Sequence, residues 1–177
     1  DATSRPQKYT KRLQQLSMDV GVDMVVGALR KQDDSTRNSA VFVPRSGLSP
    51  TVYDKRRLLV FGERVPLADT FPSLADAVQG TSHYAPGERT VSFEVDGLRW
   101  IPGICYESIF AEFTRDALNE RDGDVLLNLT NDVWFGDTAA AEQHLMLQIP
   151  RTIEDRVWLV RSTNSGISAF VSPTGTV

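Results

Sequence analysis

Cysteine is almost absent from this sequence: Cys105 stands alone. A single thiol cannot close an internal disulfide, so cysteine usage leaves the redox compartment undefined. Histidine is nearly as scarce, with His83 and His144 only. That is too few soft ligands for a His/Cys zinc site, and no metal or cofactor is expected. Long apolar runs are missing too: nothing approaches the ~20 residues that cross a bilayer. The first dozen residues are polar and charged, unlike a signal peptide. There is no large basic block, and the net charge of −4 argues against nucleic acid as the main partner. Repeats and low-complexity segments are absent. What remains is ordinary: 177 residues, 41% hydrophobic and 24% charged, enough for one soluble domain with its own core.

The periodicity alternates between helix and strand. Ser4 and Pro6 suit a helix start, Tyr9, Leu13, Leu16 and Val20 form a helical apolar stripe, and Gly21 ends it. Val22 to Leu29 reads as a strand buried on both faces. Lys31 to Arg37 is polar and reads as a turn or loop. Strands over Ser39 to Val43 and Ser49 to Tyr53 flank the turn Pro44-Arg45-Ser46-Gly47. Pro66 to Arg89 lacks periodicity and reads as a long functional loop. Asp96-Gly97, between Thr90 to Val95 and Leu98 to Ile104, signals a hairpin. A helix is expected over Ser108 to Asn119, a strand over Val125 to Leu129, and a helix over Ala139 to Val157 interrupted or kinked at Pro150. Strands at Trp158 to Arg161 and Ile167 to Val171 follow. The pattern is that of an α/β layered fold with mixed sheets. Both ends read as cut, so the domain, residues 1–177, is expected to be partial.

Cys105 closes a strand and opens a turn, where a nucleophile is exposed beside backbone N–H groups able to face an oxyanion. A small buried apolar side chain explains the same position. Lys55, in Tyr53-Asp54-Lys55-Arg56-Arg57, reads from charge alone as a solvated turn. Glu63, after Gly62, reads as surface. His83 or His144 would complete a Cys–His dyad, although no motif surrounds either.

Taken together, one ordered set is more specific. It comprises Tyr53-Asp54-Lys55, Phe61-Gly62-Glu63-Arg64-Val65-Pro66 and Gly103-Ile104-Cys105-Tyr106-Glu107. It continues with Asn128-Leu129-Thr130-Asn131-Asp132-Val133-Trp134-Phe135-Gly136, Gln143-His144 and Arg161 to Ser168. This set resembles the nitrilase-like domain of bacterial apolipoprotein N-acyltransferases, within the carbon–nitrogen hydrolase superfamily. The similarity runs from about Asn38 to the last residue.

The resemblance implies an α-β-β-α sandwich and a Glu-Lys-Cys triad that moves an acyl chain from a phospholipid, through a Cys thioester, onto the N-terminal amine of a lipoprotein's diacylglyceryl-cysteine. Cys105 matches the nucleophile, Lys55 the triad cation, and Glu63 an additional glutamate near the active centre. Tyr106, Glu107 and Trp134 match residues lining the site, which the resemblance implies orient the nucleophile and shape an apolar acyl pocket; Trp134 would serve equally as plain core. Asn131, Asp132, Asn164 and Ser165 are expected to hold the surrounding loops by local hydrogen bonds. A cation beside a thiol favours the thiolate and offsets charge on a tetrahedral intermediate.

The triad glutamate has no match, since no Glu precedes Glu63. The sequence is therefore expected to be a piece of a longer inner-membrane protein, itself soluble, facing the periplasm and inactive alone for want of its base. Phospholipid and lipoprotein are the implied partners. Exposed strand edges would invite homo-oligomers. Two other readings stay open: a soluble nitrilase-type amidase acting on a small C–N substrate, and a catalytically dead binding domain.

Overall fold

A computed structural model describes residues 4–32, 35–66 and 84–177, with the side chains of residues 4–8 excepted. Helix α1 (Ser4–Val20) leads into strands β1 (Met24–Gln32), β2 (Ser35–Val43) and β3 (Thr51–Asp54). Strands β4 (Phe93–Val95) and β5 (Leu98–Ile104) follow, then a 3-10 turn (Cys105–Ile109) and helix α2 (Ala111–Arg121). Strand β6 (Val125–Thr130), a second 3-10 turn (Asp132–Phe135), helix α3 (Ala140–Asp155) and strands β7 (Trp158–Thr163) and β8 (Ala169–Val171) complete the described order.

β1-β2-β3 form one antiparallel sheet; β4-β5-β6-β7-β8 form a second. The second is mixed: β5, β6 and β7 run parallel, and β4 and β8 flank them antiparallel. Two apolar cores separate the layers. Ala40, Phe42, Tyr53, Phe93, Ile104 and Leu127 fill the space between the sheets. Ile101, Leu118, Leu126, Leu145, Leu159 and Val171 pack the second sheet against α2 and α3. The alternation Leu126 to one side, Leu127 to the other is the period-2 consequence of a strand covered on both faces. With α1 fixed on the first sheet by Ser17, whose Oγ lies 2.7 Å from the Val22 carbonyl and 3.2 Å from that of Val43, the order of layers is α-β-β-α.

The expected α/β fold and the Asp96-Gly97 hairpin are present; both turn residues adopt positive φ, 49° and 81°, as the two-residue hairpin turn requires. Four expectations are corrected. The stretch Val22 to Leu29 is not buried on both faces: β1 pairs with β2 alone among the described residues, and Gly27 and Leu29 face outward. Residues 31–32 and 35–37 are strand rather than loop, because pairing continues to Gln32↔Ser35 on a ribbon whose exposed positions tolerate polar side chains; residues 33–34 lie outside the described residues. Pro150 does not interrupt α3; the acceptor it leaves without a helical N–H belongs to Met146, an exposed position that water reaches. The apolar stripe of α1 is largely exposed, with Tyr9 at 67% and Leu16 at 47%, and Ser17 is the buried contact instead. Of the long loop expected over Pro66 to Arg89, residues 67–83, including His83, lie outside the described residues.

Candidate active site

β5 ends where its parallel neighbours end, and the chain there turns sharply into a 3-10 helix beginning at Cys105. Cys105 adopts φ 55°, a left-handed conformation that costs a non-glycine residue about 1–2 kcal/mol. Something in the surroundings must hold it. The turn is held closely: a Cβ on Gly103 would sit 2.7 Å from Ser108 Oγ and would push that hydroxyl off its contact with Asn128. Cys105 itself is partly exposed, and it packs against the core between the sheets.

Glu107 is the anchor of this turn. Its carboxylate is fully buried. Oε2 accepts from the Ile104 N–H at 2.8 Å, and Oε1 accepts from the N–H groups of Arg56 at 2.7 Å and Arg57 at 2.8 Å. Tyr53 Oη donates to the same carboxylate at 2.9 Å. One side chain thus joins the residue before Cys105 to the residues after Lys55. Burial raises the Glu107 carboxyl above its ordinary 4.5, while these backbone donors pull it down. Burial, and then the neighbouring Glu107 charge, hold the Tyr53 phenol well above 10, so it stays a donor.

Lys55 follows β3 and is 2% exposed. Its N–H donates to the Asn38 carbonyl at 2.8 Å, and its carbonyl accepts from the Gly87 N–H at 2.7 Å. A Cβ on Gly87 would lie 2.1 Å from the Asp54 carbonyl oxygen, so that returning segment also needs glycine. The Lys55 ammonium meets Glu63 Oε2 at 2.6 Å. Glu63 also accepts from the Leu59 N–H at 2.8 Å and Asn38 Nδ2 at 3.1 Å, and so is a built partner rather than a surface residue.

The remaining expected residues are partly or largely exposed. Tyr106 is 37% exposed and packs edge-on against Phe110. Trp134, at 79% exposed, is not core. It stands beside exposed Val133; Val60 and Phe61, also exposed, lie just before Glu63. Loops are tied as expected: Asn131 Oδ1 accepts from Ser165 Oγ and the Val133 N–H, and the Asn164 N–H donates to Thr130.

A second cluster lies beneath Cys105, on the helix-facing side of the second sheet. Arg161 Nη2 pairs with Asp132 Oδ2 at 2.6 Å, and His144 Nδ1 lies 2.9 Å from Asp132 Oδ1. Asn128 and Gln148 complete it. Burial, then the Arg161 charge, lower the His144 imidazole below 6.5 against the pull of Asp132. Burial likewise lowers the Arg161 guanidinium, which Asp132 opposes. His144 is tightly partnered, with Nδ1 toward Asp132 and Nε2 toward Gln148, and it reaches Cys105 through the backbone. Reasoning from the sequence missed Asn128 and Arg161 as individual site residues. The available signal was a polar residue inside each of two apolar strands, Val125 to Thr130 and Trp158 to Thr163.

A carbon-nitrogen hydrolase family model matches residues 1–177, and the chain belongs to that family. Curated relatives include the apolipoprotein N-acyltransferase of Bdellovibrio bacteriovorus, 41% identical over 152 residues, covering 83% of this chain and 28% of the relative. That of Geobacter metallireducens is 33% identical over 172 residues, covering 95% of this chain and 33% of the relative. The chain thus spans 28–33% of the length of these two relatives. Among solved structures, a CN-hydrolase superfamily protein from Xanthomonas campestris shares the fold with a TM-score of 0.69 at 20% identity, over 92% of this chain and 59% of that one. An amidase from Nesterenkonia sp., with the acetamide moiety of fluoroacetamide added covalently at its active-site cysteine, matches with a TM-score of 0.69 at 19% identity, over 96% and 60%. At such identities these structures speak for the fold alone.

Proposed function

We propose that this chain carries the acyl-transfer site of an apolipoprotein N-acyltransferase, with Cys105 as the acyl carrier, Lys55 as the cation facing it and Glu63 as the partner that sets the lysine. The observation that carries the reading is the Glu107 carboxylate, which binds N–H groups adjacent to both Cys105 and Lys55 and so keeps the two in register. In the first half-reaction the Cys105 sulfur attacks a phospholipid ester carbonyl. The Lys55 ammonium offsets the tetrahedral oxyanion. Collapse breaks the ester C–O bond, the alkoxide takes up the proton that the thiol released and leaves as lysophospholipid, and the acyl group remains as a thioester. In the second, the α-amine of a diacylglyceryl-cysteine attacks the thioester, an amide forms, and the thiol is restored with the amine's proton.

The exposed apolar side chains of Val60, Phe61, Val133 and Trp134 are suited to meet an acyl chain. No helix among the described residues is long and apolar enough to cross a membrane. We place the domain at an inner-membrane surface facing the periplasm, with the membrane holding the acyl donor. Among the described residues, Glu63 is the carboxylate that meets Lys55, and its oxygens already accept three hydrogen bonds. Glu63 thus holds the lysine rather than receiving the thiol proton, and transfer by this chain alone is slow.

The test supplies phospholipid vesicles and a diacylglyceryl-cysteine peptide to the full-length protein and follows the peptide by mass spectrometry. N-acylated peptide, lost in Cys105→Ala and Lys55→Met, is the expected result. Ammonia released from small amides without N-acylated peptide would replace this reading with an amidase. Neither product would leave the binding-domain reading.

A further inference from the structure

Asn128, Arg161 and Gly103 are cross-strand neighbours: Gly103 pairs with Asn128, and Asn128 with Arg161, across β5, β6 and β7. The Asn128 amide is fully buried and every polar atom on it is used. Oδ1 accepts from Arg161 Nη1 at 3.0 Å and Gln148 Nε2 at 3.2 Å. Nδ2 faces three oxygens: Ser108 Oγ at 2.8 Å, the Cys105 carbonyl at 3.1 Å and the Gly103 carbonyl at 3.3 Å. The orientation is chemically forced. A guanidinium only donates, so turning the amide over would set NH2 against Arg161 and oxygen against two carbonyls. Arg161 is in turn fixed at all three nitrogens, with Nε donating to the Ile167 carbonyl at 3.0 Å and Nη2 to Asp132 at 2.6 Å.

We propose that Asn128 is a positioning residue for Cys105, aimed by the buried Arg161–Asp132 pair, and that its amide holds the Cys105 carbonyl so that the left-handed turn presents the thiol. Glu107 grips the residue before Cys105 through the Ile104 N–H; Asn128 grips the peptide after Cys105 through its carbonyl. The two clamps act on opposite sides of the strained residue. The polar cluster beneath the sheet thereby acts on the nucleophile without touching the substrate. The kinetic part of the proposal rests on the acyl-transfer reading; the structural part does not.

Because Cys105 is the only cysteine, labelling cysteine with carbonyl 13C gives one reporter on that carbonyl. Asn128→Asp keeps the shape and the acceptor toward Arg161 but removes the donor. The expected result is an upfield move of the Cys105 carbonyl resonance, a fall of about 10²-fold in the acylation rate, an unchanged KM for the acyl donor, and a slower reaction of the thiol with iodoacetamide. A wild-type resonance in the variant overturns the proposal, and so does a shifted resonance with wild-type acylation and alkylation rates. Loss of rate that only tracks lowered Tm, with KM rising alongside, assigns Asn128 a merely structural role and also overturns it. If Asn128→Asp does not fold, Arg161→Lys carries the test, since it keeps the charge beside Asp132 and removes the fork that aims the amide. If wild-type protein forms no acyl adduct at all, the acyl-transfer reading fails, while the resonance and the iodoacetamide rate still decide the clamp.

Discussion

Replacing Glu107 by Gln is the sharpest perturbation of the site, because it alters one atom of a buried group. The carboxylate accepts three backbone N–H groups and the Tyr53 hydroxyl. A glutamine retains one acceptor oxygen. Its better orientation keeps that oxygen on Arg56 and Arg57 and turns NH2 toward the Ile104 N–H. One charge-assisted hydrogen bond is then lost and a buried donor is left unpaired, about 1.5–3 kcal/mol. Relief from burying a charge offsets part of this, leaving a net loss of about 1–2 kcal/mol. For a domain of this size that lowers Tm by about 2–8 °C, read by circular dichroism. The pH dependence follows the raised carboxyl. The native state keeps a proton that the unfolded state has released above pH 4.5, so this contribution is full below pH 4.5 and is lost as pH rises through the raised native value. Glu107→Gln removes that slope. Because the freed N–H belongs to the residue before Cys105, iodoacetamide labelling of Cys105 slows as well. A variant with wild-type Tm and wild-type labelling would refute the reasoning.

Other outcomes follow from neighbouring groups. Asp132→Ala leaves Arg161 buried without its anion and costs about 3–5 kcal/mol, seen as a shift in urea midpoint at unchanged m. His144, lowered by burial and Arg161, contributes stability that is full above pH 6.5 and is lost as pH falls through its native value, so Tm drops as pH falls below 6.5 and His144→Asn flattens that drop. Glu63→Gln weakens the contact that sets a nearly buried ammonium and slows acylation of Cys105 about tenfold, measured by quenched mass spectrometry. Strand β1 pairs on one side only among the described residues, and light scattering at two concentrations is expected to show concentration-dependent association through such edges.

The sequence carried the fold where pattern and chemistry agreed. Val125 to Leu129 is apolar but for Asn128 and is the central strand between two cores; Asp96-Gly97 is the tight turn its residues require. It misled where exposure relaxed the pattern. Lys31 to Arg37 looked like a loop because outward positions of a ribbon need no apolar residue, and the stripe on α1 looked like a buried face although most of it is open. At the site, Lys55, Glu63 and Cys105 were legible as an ordered set, and Lys55 and Glu63 do meet. The resemblance implied that Glu107 helps orient the nucleophile, but its partners were not legible, because a carboxylate that binds backbone N–H groups from a segment 50 residues away leaves no local trace. Asn128 and Arg161 were visible only as polar residues inside apolar strands. Their meaning depends on strand register, which aligns them under the Cys105 turn.

The central claim is that Cys105 carries an acyl group beside Lys55, and intact mass tests it most directly. The protein is mixed with an activated acyl ester, quenched in acid and weighed. One acyl mass on the peptide containing Cys105, removed by hydroxylamine and absent in Lys55→Met that still folds, is the predicted result. An unmodified Cys105 in the wild-type protein, or equal acylation with and without Lys55, would contradict it.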